Sequence, residues 1–376
     1  MTVDLAWKTL LHDKLRFLIT VCGVAFAVSL VFFQNGLFQG ILGHASVTIE
    51  RAGADIWVTP RNTPNVDFAQ LFPRGAVHLV RSVPGVERAD ALVVFFLNMT
   101  LPSGGTEMVL VYAMEDFRDW GIPWNVPEGR LEDLRSGPFF LLDDSASKRL
   151  GPFASGEYRE IQGRRLRIVG RTREAMSFTT TPMVFMGLAT VESLLPDMIR
   201  GMTSYVLVRL EPGADPALVR SEIARRLPYN DVLDRDAWAA KSKSYWVDST
   251  GIGFNLWFTV FLGALVGVVI VAQTLYSSTM EHLKEFGTLK AIGGTNADIY
   301  RILARQAAIA AVVGFVLGAI PPLVSIPLVE AAGLKLLLTP AFGGVVFLAT
   351  VLLCLSASAI SFRKIARLDP AMVFRQ

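Results

Sequence analysis

The chain has 376 residues, 52% of them apolar and 18% charged, with a mean hydropathy of +0.43. That is too apolar for an ordinary soluble domain and too charged for a bundle buried wholly in lipid, so the average hides two populations. The net charge of +3 is small and sits near helix ends, which argues for membrane topology and against nucleic-acid binding.

Residues 4–16 place Leu5, Trp7, Leu10, Leu11 and Leu15 on one broad helical face and turn Lys8, His12 and Lys14 away. This predicts a cytoplasmic amphipathic helix over 1–16 lying along the membrane interface, the alternative being a plain extension of the first span. No Asp, Glu, Lys or Arg occurs between Arg16 and Glu50. The apolar run is far longer than a signal peptide's, and Gln34-Asn35-Gly36 is a poor cleavage site. A retained transmembrane helix with a stalk is therefore expected over 17–43.

Residues 44–250 read as an α+β domain. Strands are expected at Asp55–Thr59, Leu92–Leu101, Met108–Met114, Phe139–Leu142, Leu166–Val169, Pro182–Met186 and Tyr205–Leu210, all rich in β-branched or aromatic residues. A helix over Ala76–Val83 stops at Pro84-Gly85, and another starts at the Asp215-Pro216 cap and runs to Leu227. Helices flank the two ends of this region while its middle is nearly all strand. That predicts two subdomains, about 44–90 with 190–250, and about 90–190. The domain has no cysteine. Cys22 and Cys354 lie in expected spans and are read as packing residues, so the domain must hold together by its core.

A second charge-free stretch predicts stalk and transmembrane helix 2 over 251–280. A cytoplasmic segment follows over 281–301, then transmembrane helix 3 over 302–329, helix 4 over 341–362 and a tail over 363–376. Each span exceeds the roughly 20 apolar residues that a bilayer requires. The first two exceed it by enough, at about 1.5 Å per residue, to rise out of the membrane and carry the domain. Lys and Arg concentrate before helix 1 (Lys8, Lys14, Arg16), after helix 2 (Lys284, Lys290, Arg301, Arg305) and after helix 4 (Arg363, Lys364, Arg367, Arg375). The positive-inside rule then puts both termini in the cytoplasm and the domain outside. The expected fold is a membrane protein of four transmembrane α-helices, with a large α+β extracytoplasmic domain inserted between helices 1 and 2.

Chemistry is scarce. No phosphate-binding loop of the Gly-x-x-x-x-Gly-Lys-Ser/Thr type occurs, and His12, His44, His78 and His282 are scattered. No catalytic residue, metal site or bound cofactor is expected. Asp143-Asp144 and the acidic run Glu128–Asp133 read as solvated loops, and Asn98-Met99-Thr100 is a chance sequon within a strand. The spans lack the ionisable groups that ion-coupled transporters place near the midplane, so energy for transport would have to come from a partner.

The most informative stretch runs from Met280 to Ile299. Glu281 and Glu285 are four apart on one helical face with Lys284 beside them. Gly287 and Gly293-Gly294 allow close approach or a sharp turn. Phe286, Leu289 and Ile292 form an apolar side, and Thr295 or Asn296 can cap the next helix. A short charged helix bracketed by glycines suits docking on another protein.

Here Glu285-Phe286-Gly287-Thr288-Leu289-Lys290-Ala291-Ile292-Gly293 resembles the signature of the FtsX/MacB-like permeases of ABC transporters, most closely the DevC-type branch. Leu5-Ala6-Trp7-Lys8 with Arg16, Ala54-Asp55-Ile56-Trp57-Val58 and Asp369-Pro370-Ala371-Met372-Val373-Phe374-Arg375 are also similar to that family. The resemblance implies a non-catalytic permease of a bacterial inner membrane that forms a homodimer. It also implies a separate ATPase, which binds ATP and Mg. Glu281, Lys284, Glu285, Phe286, Gly287, Leu289, Lys290, Ala291 and Gly293 would make the ATPase-coupling site. DevC-like members imply a periplasmic membrane-fusion adaptor, an outer-membrane channel and a lipid or other amphiphile as cargo. The competing expectations are an FtsX-like signalling permease that activates a cell-wall hydrolase, a lipoprotein-release permease and, last, an enzyme with an outward catalytic domain.

Overall fold

The computed structural model describes residues 14–365 apart from 180, 282–284, 286, 289–292 and 332–333. It falls into two compact units, one of residues 1–40 with 253–376 and one of residues 41–252. The expected amphipathic helix before residue 14 and the tail motif 369–375 lie outside the described residues.

The first unit is helical. Among the described residues four helices are long and apolar enough to cross a membrane: α1 (Lys14–His44), then, beyond the second unit, Ile252–Glu281, Asn296–Ala331 and Pro340–Ile365. They meet along a core of Val24, Val28 and Phe32 from the first, Val271 and Leu275 from the second, Ala307 and Ala311 from the third, and Val346 and Cys354 from the fourth. Phe32 packs edge-on against Phe342, with ring centres 5.9 Å apart. Cys354 is buried, whereas Cys22 is exposed on α1 and is no core residue of this chain.

The second unit is an α/β domain. In chain order it contains α2 (Val47–Arg51), β1 (Ile56–Pro60), β2 (Phe72–Pro73), α3 (Ala76–Arg81), β3 (Val86–Thr100), β4 (Thr106–Met114), β5 (Phe139–Asp143), α4 (Ser147–Leu150), β6 (Tyr158–Ile161), β7 (Arg164–Thr172), β8 (Met183–Gly187), α5 (Leu188–Leu194), α6 (Pro196–Ile199), β9 (Met202–Thr203), β10 (Tyr205–Leu210), α7 (Pro216–Arg226), β11 (Asn230–Asp234) and α8 (Arg235–Ser244). The membrane helices that follow are α9 (Ile252–Glu281), α10 (Asn296–Ala331) and α11 (Pro340–Ile365). The principal sheet has the order β11-β1-β10-β3-β4-β8-β5-β7-β6, and β6 returns to pair with the end of β3. The six strands from β3 round to β6 therefore close into a ring around Val93, Leu97, Val109, Val111, Phe140, Leu142, Ile168 and Val184.

Strand alternation builds the remaining core. On β1 and β10, Ile56, Val58, Val206 and Val208 face α3 and α7, while Trp57, Tyr205 and Leu207 face Trp238 of α8 on the other side. Both faces are covered, so β1 is buried along its whole length. α7 starts at Asp215, whose carboxylate accepts from the Ala217 amide at 2.8 Å, with Pro216 at the first helical position. β3 pairs with β10 through its first half and β4 through its second. The division expected near residue 90 thus falls inside a strand that both parts share.

Candidate functional site

The segment between α9 and α10 begins at Glu281, the last residue of α9. Arg16, in the first turn of α1, donates from Nη1 and Nη2 to the two Glu281 oxygens, a bidentate clasp between the ends of the first two spans. Its two side chains are 28% and 56% exposed, so water screens the pair and geometry matters more than strength.

Past the clasp, Glu285, Gly287 and Thr288 are helical, with Glu285 and Thr288 exposed and Gly287 buried. Of the expected coupling residues, Glu281, Glu285, Gly287 and Gly293 are placed. Lys284, Phe286, Leu289, Lys290 and Ala291 lie outside the described residues. Gly293 has φ +100°, a left-handed conformation that strains a residue with a side chain.

The turn ends in a reciprocal cap. The Asp298 carboxylate accepts from the Thr295 amide at 3.0 Å and from its hydroxyl at 2.6 Å, while the Asp298 amide donates to the Thr295 hydroxyl at 3.3 Å. Of the two capping candidates, Thr295 does the work. Ile299, Ile302 and Leu303 then bury the first turns of α10, and Tyr300 meets Phe362 of α11 at 5.5 Å. The segment is thus fixed at both ends, by the Arg16–Glu281 clasp and by the Thr295 cap.

The Arg16 pairing was not anticipated, yet a signal existed. Arg16 is the last charge before the first span and Glu281 the first after the second. Opposite charges that bracket two neighbouring spans at one membrane face are natural partners.

In the domain, a second cluster joins the segment that follows α1 to the one that precedes α9. Lys243 of α8 bonds Glu50 of α2 at 2.8 Å, and Ser46 bonds the same carboxylate at 2.8 Å. Burial alone would raise the Glu50 carboxyl; the Lys243 and Ser46 hydrogen bonds outweigh it and hold the group below its ordinary value. Ser242 donates to the Ala45 carbonyl at 2.6 Å, and Trp246 stacks on Phe178 with centres 3.9 Å apart.

Behind them lies a buried carboxyl. Asp67 accepts from the Tyr112 hydroxyl at 3.4 Å, and Tyr112 in turn accepts from Thr48 of α2 at 3.3 Å. Tyr205 donates to the Val66 carbonyl at 2.9 Å. Burial pushes the Asp67 carboxyl up to about 7. The acidic pair at the end of β5 is not a solvated loop: Asp143 is buried and accepts from Thr172 and the Ala175 amide at 2.9 and 2.8 Å. These bonds tie the end of β5 to Thr172 of β7 and to the Ala175 backbone. Among the described residues no group of three or more His, Cys, Asp or Glu is placed to hold a metal. Both clusters fasten segments of the domain together.

The MacB-like periplasmic core domain profile matches residues 17–226, and the FtsX-like permease C-terminal profile matches residues 257–370. An ABC transporter permease of Mycobacterium tuberculosis is 28% identical, over 99% of this chain and 97% of that one. The macrolide export ATP-binding/permease protein MacB of Shigella sonnei is 23% identical over 98% of this chain and 59% of its own length. The periplasmic region of MacB from Actinobacillus actinomycetemcomitans aligns with a TM-score of 0.40 and 12% identity, over 50% of this chain and 92% of that one. The chain belongs to the MacB/FtsX-like family and is a multi-pass ABC transporter permease.

Proposed function

We propose that this permease transmits ATP-driven motion from a separate ATPase to its extracytoplasmic domain. The observation that carries the reading is the Arg16–Glu281 clasp next to a segment with a glycine turn at Gly293 and a capped exit at Thr295. A partner that moves this segment acts on the ends of both spans at once. ATP and Mg belong to the partner, which docks on the segment that contains Glu281, Lys284, Glu285, Phe286, Gly287, Leu289, Lys290, Ala291 and Gly293. In the domain, the Glu50–Lys243 and Ser242–Ala45 bonds would carry that displacement from the two connecting segments into the sheet.

The apolar spans support a mechanism in which cargo need not cross through the permease. The domain would instead drive a lipid or other amphiphile, in the DevC manner, through a periplasmic adaptor and an outer-membrane channel. Both termini then lie in the cytoplasm of the inner membrane. A homodimer is supported by α9, whose apolar window is 17% buried against 33% for α1 and which exposes Phe254, Trp257, Phe258 and Phe261. The test is co-purification from native membranes. Recovery of an ABC ATPase together with a periplasmic adaptor is the expected result. Recovery of a peptidoglycan hydrolase instead would overturn the export reading in favour of signalling.

A further inference from the structure

The third span carries Pro321, Pro322 and Pro327 inside α10. Proline has no amide hydrogen, so each leaves the carbonyl four residues earlier without its helical donor. For Pro322 that carbonyl belongs to Gly318. In lipid no water replaces the missing donor, and the group must find a partner within the protein. The Ser29 hydroxyl of α1 supplies it, donating to the Gly318 oxygen at 2.6 Å.

The approach requires a residue without a side chain at 318. A Cβ there would stand 2.6 Å from the Ala25 oxygen and 2.8 Å from the Val28 Cβ. Farther along, the connection after α10 reaches α1 again, where the Leu337 amide donates to the Gly36 carbonyl at 3.0 Å. α1 is therefore held at two heights by the outer half of the third span and the connection that follows it.

We propose that Ser29 is a latch at a proline hinge. It fastens the first span to the outer half of the third, so that residues 318–331 and the connection follow α1 across the break, beyond the inner half that packs on α1 through Ala307, Ala311 and Gly314. An axial slip of α1 by one helical turn, about 5.4 Å, would break both hydrogen bonds. Under the coupling reading above, the latch makes the outer half of the third span part of the stroke; the latch itself rests on the chain alone.

The test is a double-mutant cycle in the full chain, reconstituted in lipid nanodiscs and read by hydrogen exchange of the amides in 319–331 and 334–338. Ser29→Ala should speed exchange there roughly 3- to 10-fold, the range for a hydrogen bond between membrane helices. Ser29→Thr, which keeps the hydroxyl, should match the parent. In a Pro322→Ala background the restored amide serves Gly318 within the helix, so adding Ser29→Ala should change nothing. An equal Ser29→Ala effect in both backgrounds would mean lost packing and would overturn the latch, as would no effect in either. Preserved exchange coupling with ATP-driven export untouched by Ser29→Ala would leave the latch standing and count against the coupling reading.

Discussion

Asp67→Asn isolates the charge buried behind the two connecting segments of the domain. The Asp67 carboxyl sits at about 7 in the folded domain against 3.8 for the ordinary group. Between those values the folded domain holds a proton that the unfolded chain releases. Its contribution is therefore fully present below about pH 4 and is lost as pH rises to about 7. At about 1.4 kcal/mol per pH unit, the loss across that window is on the order of 4 kcal/mol. Asparagine keeps an oxygen for Tyr112 and carries no charge at any pH. At pH 8 the variant should melt higher than the parent by on the order of 10 °C, since 1 kcal/mol shifts a domain of this size by about 2–4 °C. At pH 4.5 the two should nearly coincide. Tryptophan fluorescence of the full chain reports on this unit, because Trp57, Trp120, Trp124, Trp238 and Trp246 all lie in it, and Trp57 and Trp238 both pack on Tyr205. A difference between variant and parent that is the same at every pH would refute the reasoning.

The proposed coupling role of the segment between α9 and α10 yields further expectations. Glu285→Lys, or bulky residues at Gly287 and Gly293, should uncouple ATP hydrolysis from export while leaving the protein inserted; normal export in these variants would count against the assignment. Reversing Glu281 with Glu281→Arg should lower export, and the exchange Arg16→Glu with Glu281→Arg should restore much of it, as judged by export rates of the single and double variants. Thr295→Ala removes the cap of α10 and should cost about 1 kcal/mol locally, seen as faster hydrogen exchange over 296–299 with the rest of α10 unchanged.

The four spans were legible because charge is absent from them, and β1, β3, β4, β5, β7, β8 and β10 because β-branched and aromatic runs mark them. β11 and β6 were not. Asn230–Asp234 is half-buried throughout, so no alternation marks it, and Tyr158–Ile161 is a short, charged stretch whose place depends on pairing with β7 and β3. The closed ring follows from that long-range register, which no local pattern encodes. In the segment between α9 and α10, sequence spacing identified the turn glycine Gly293 and the Thr295 cap. It did not reveal the Arg16 partner, since 265 residues separate the two charges. Asp67 was missed for a related reason: its environment comes from Tyr112 and Tyr205 on distant strands.

The central claim is that the segment after α9 is where an ATPase grips the permease. Site-specific photocrosslinking from position 285 in native membranes tests it most directly. The account predicts an adduct with an ABC ATPase subunit whose yield changes when ATP is added. An efficient crosslink to lipid or to the permease alone, with no ATPase adduct in the presence or absence of ATP, would contradict it.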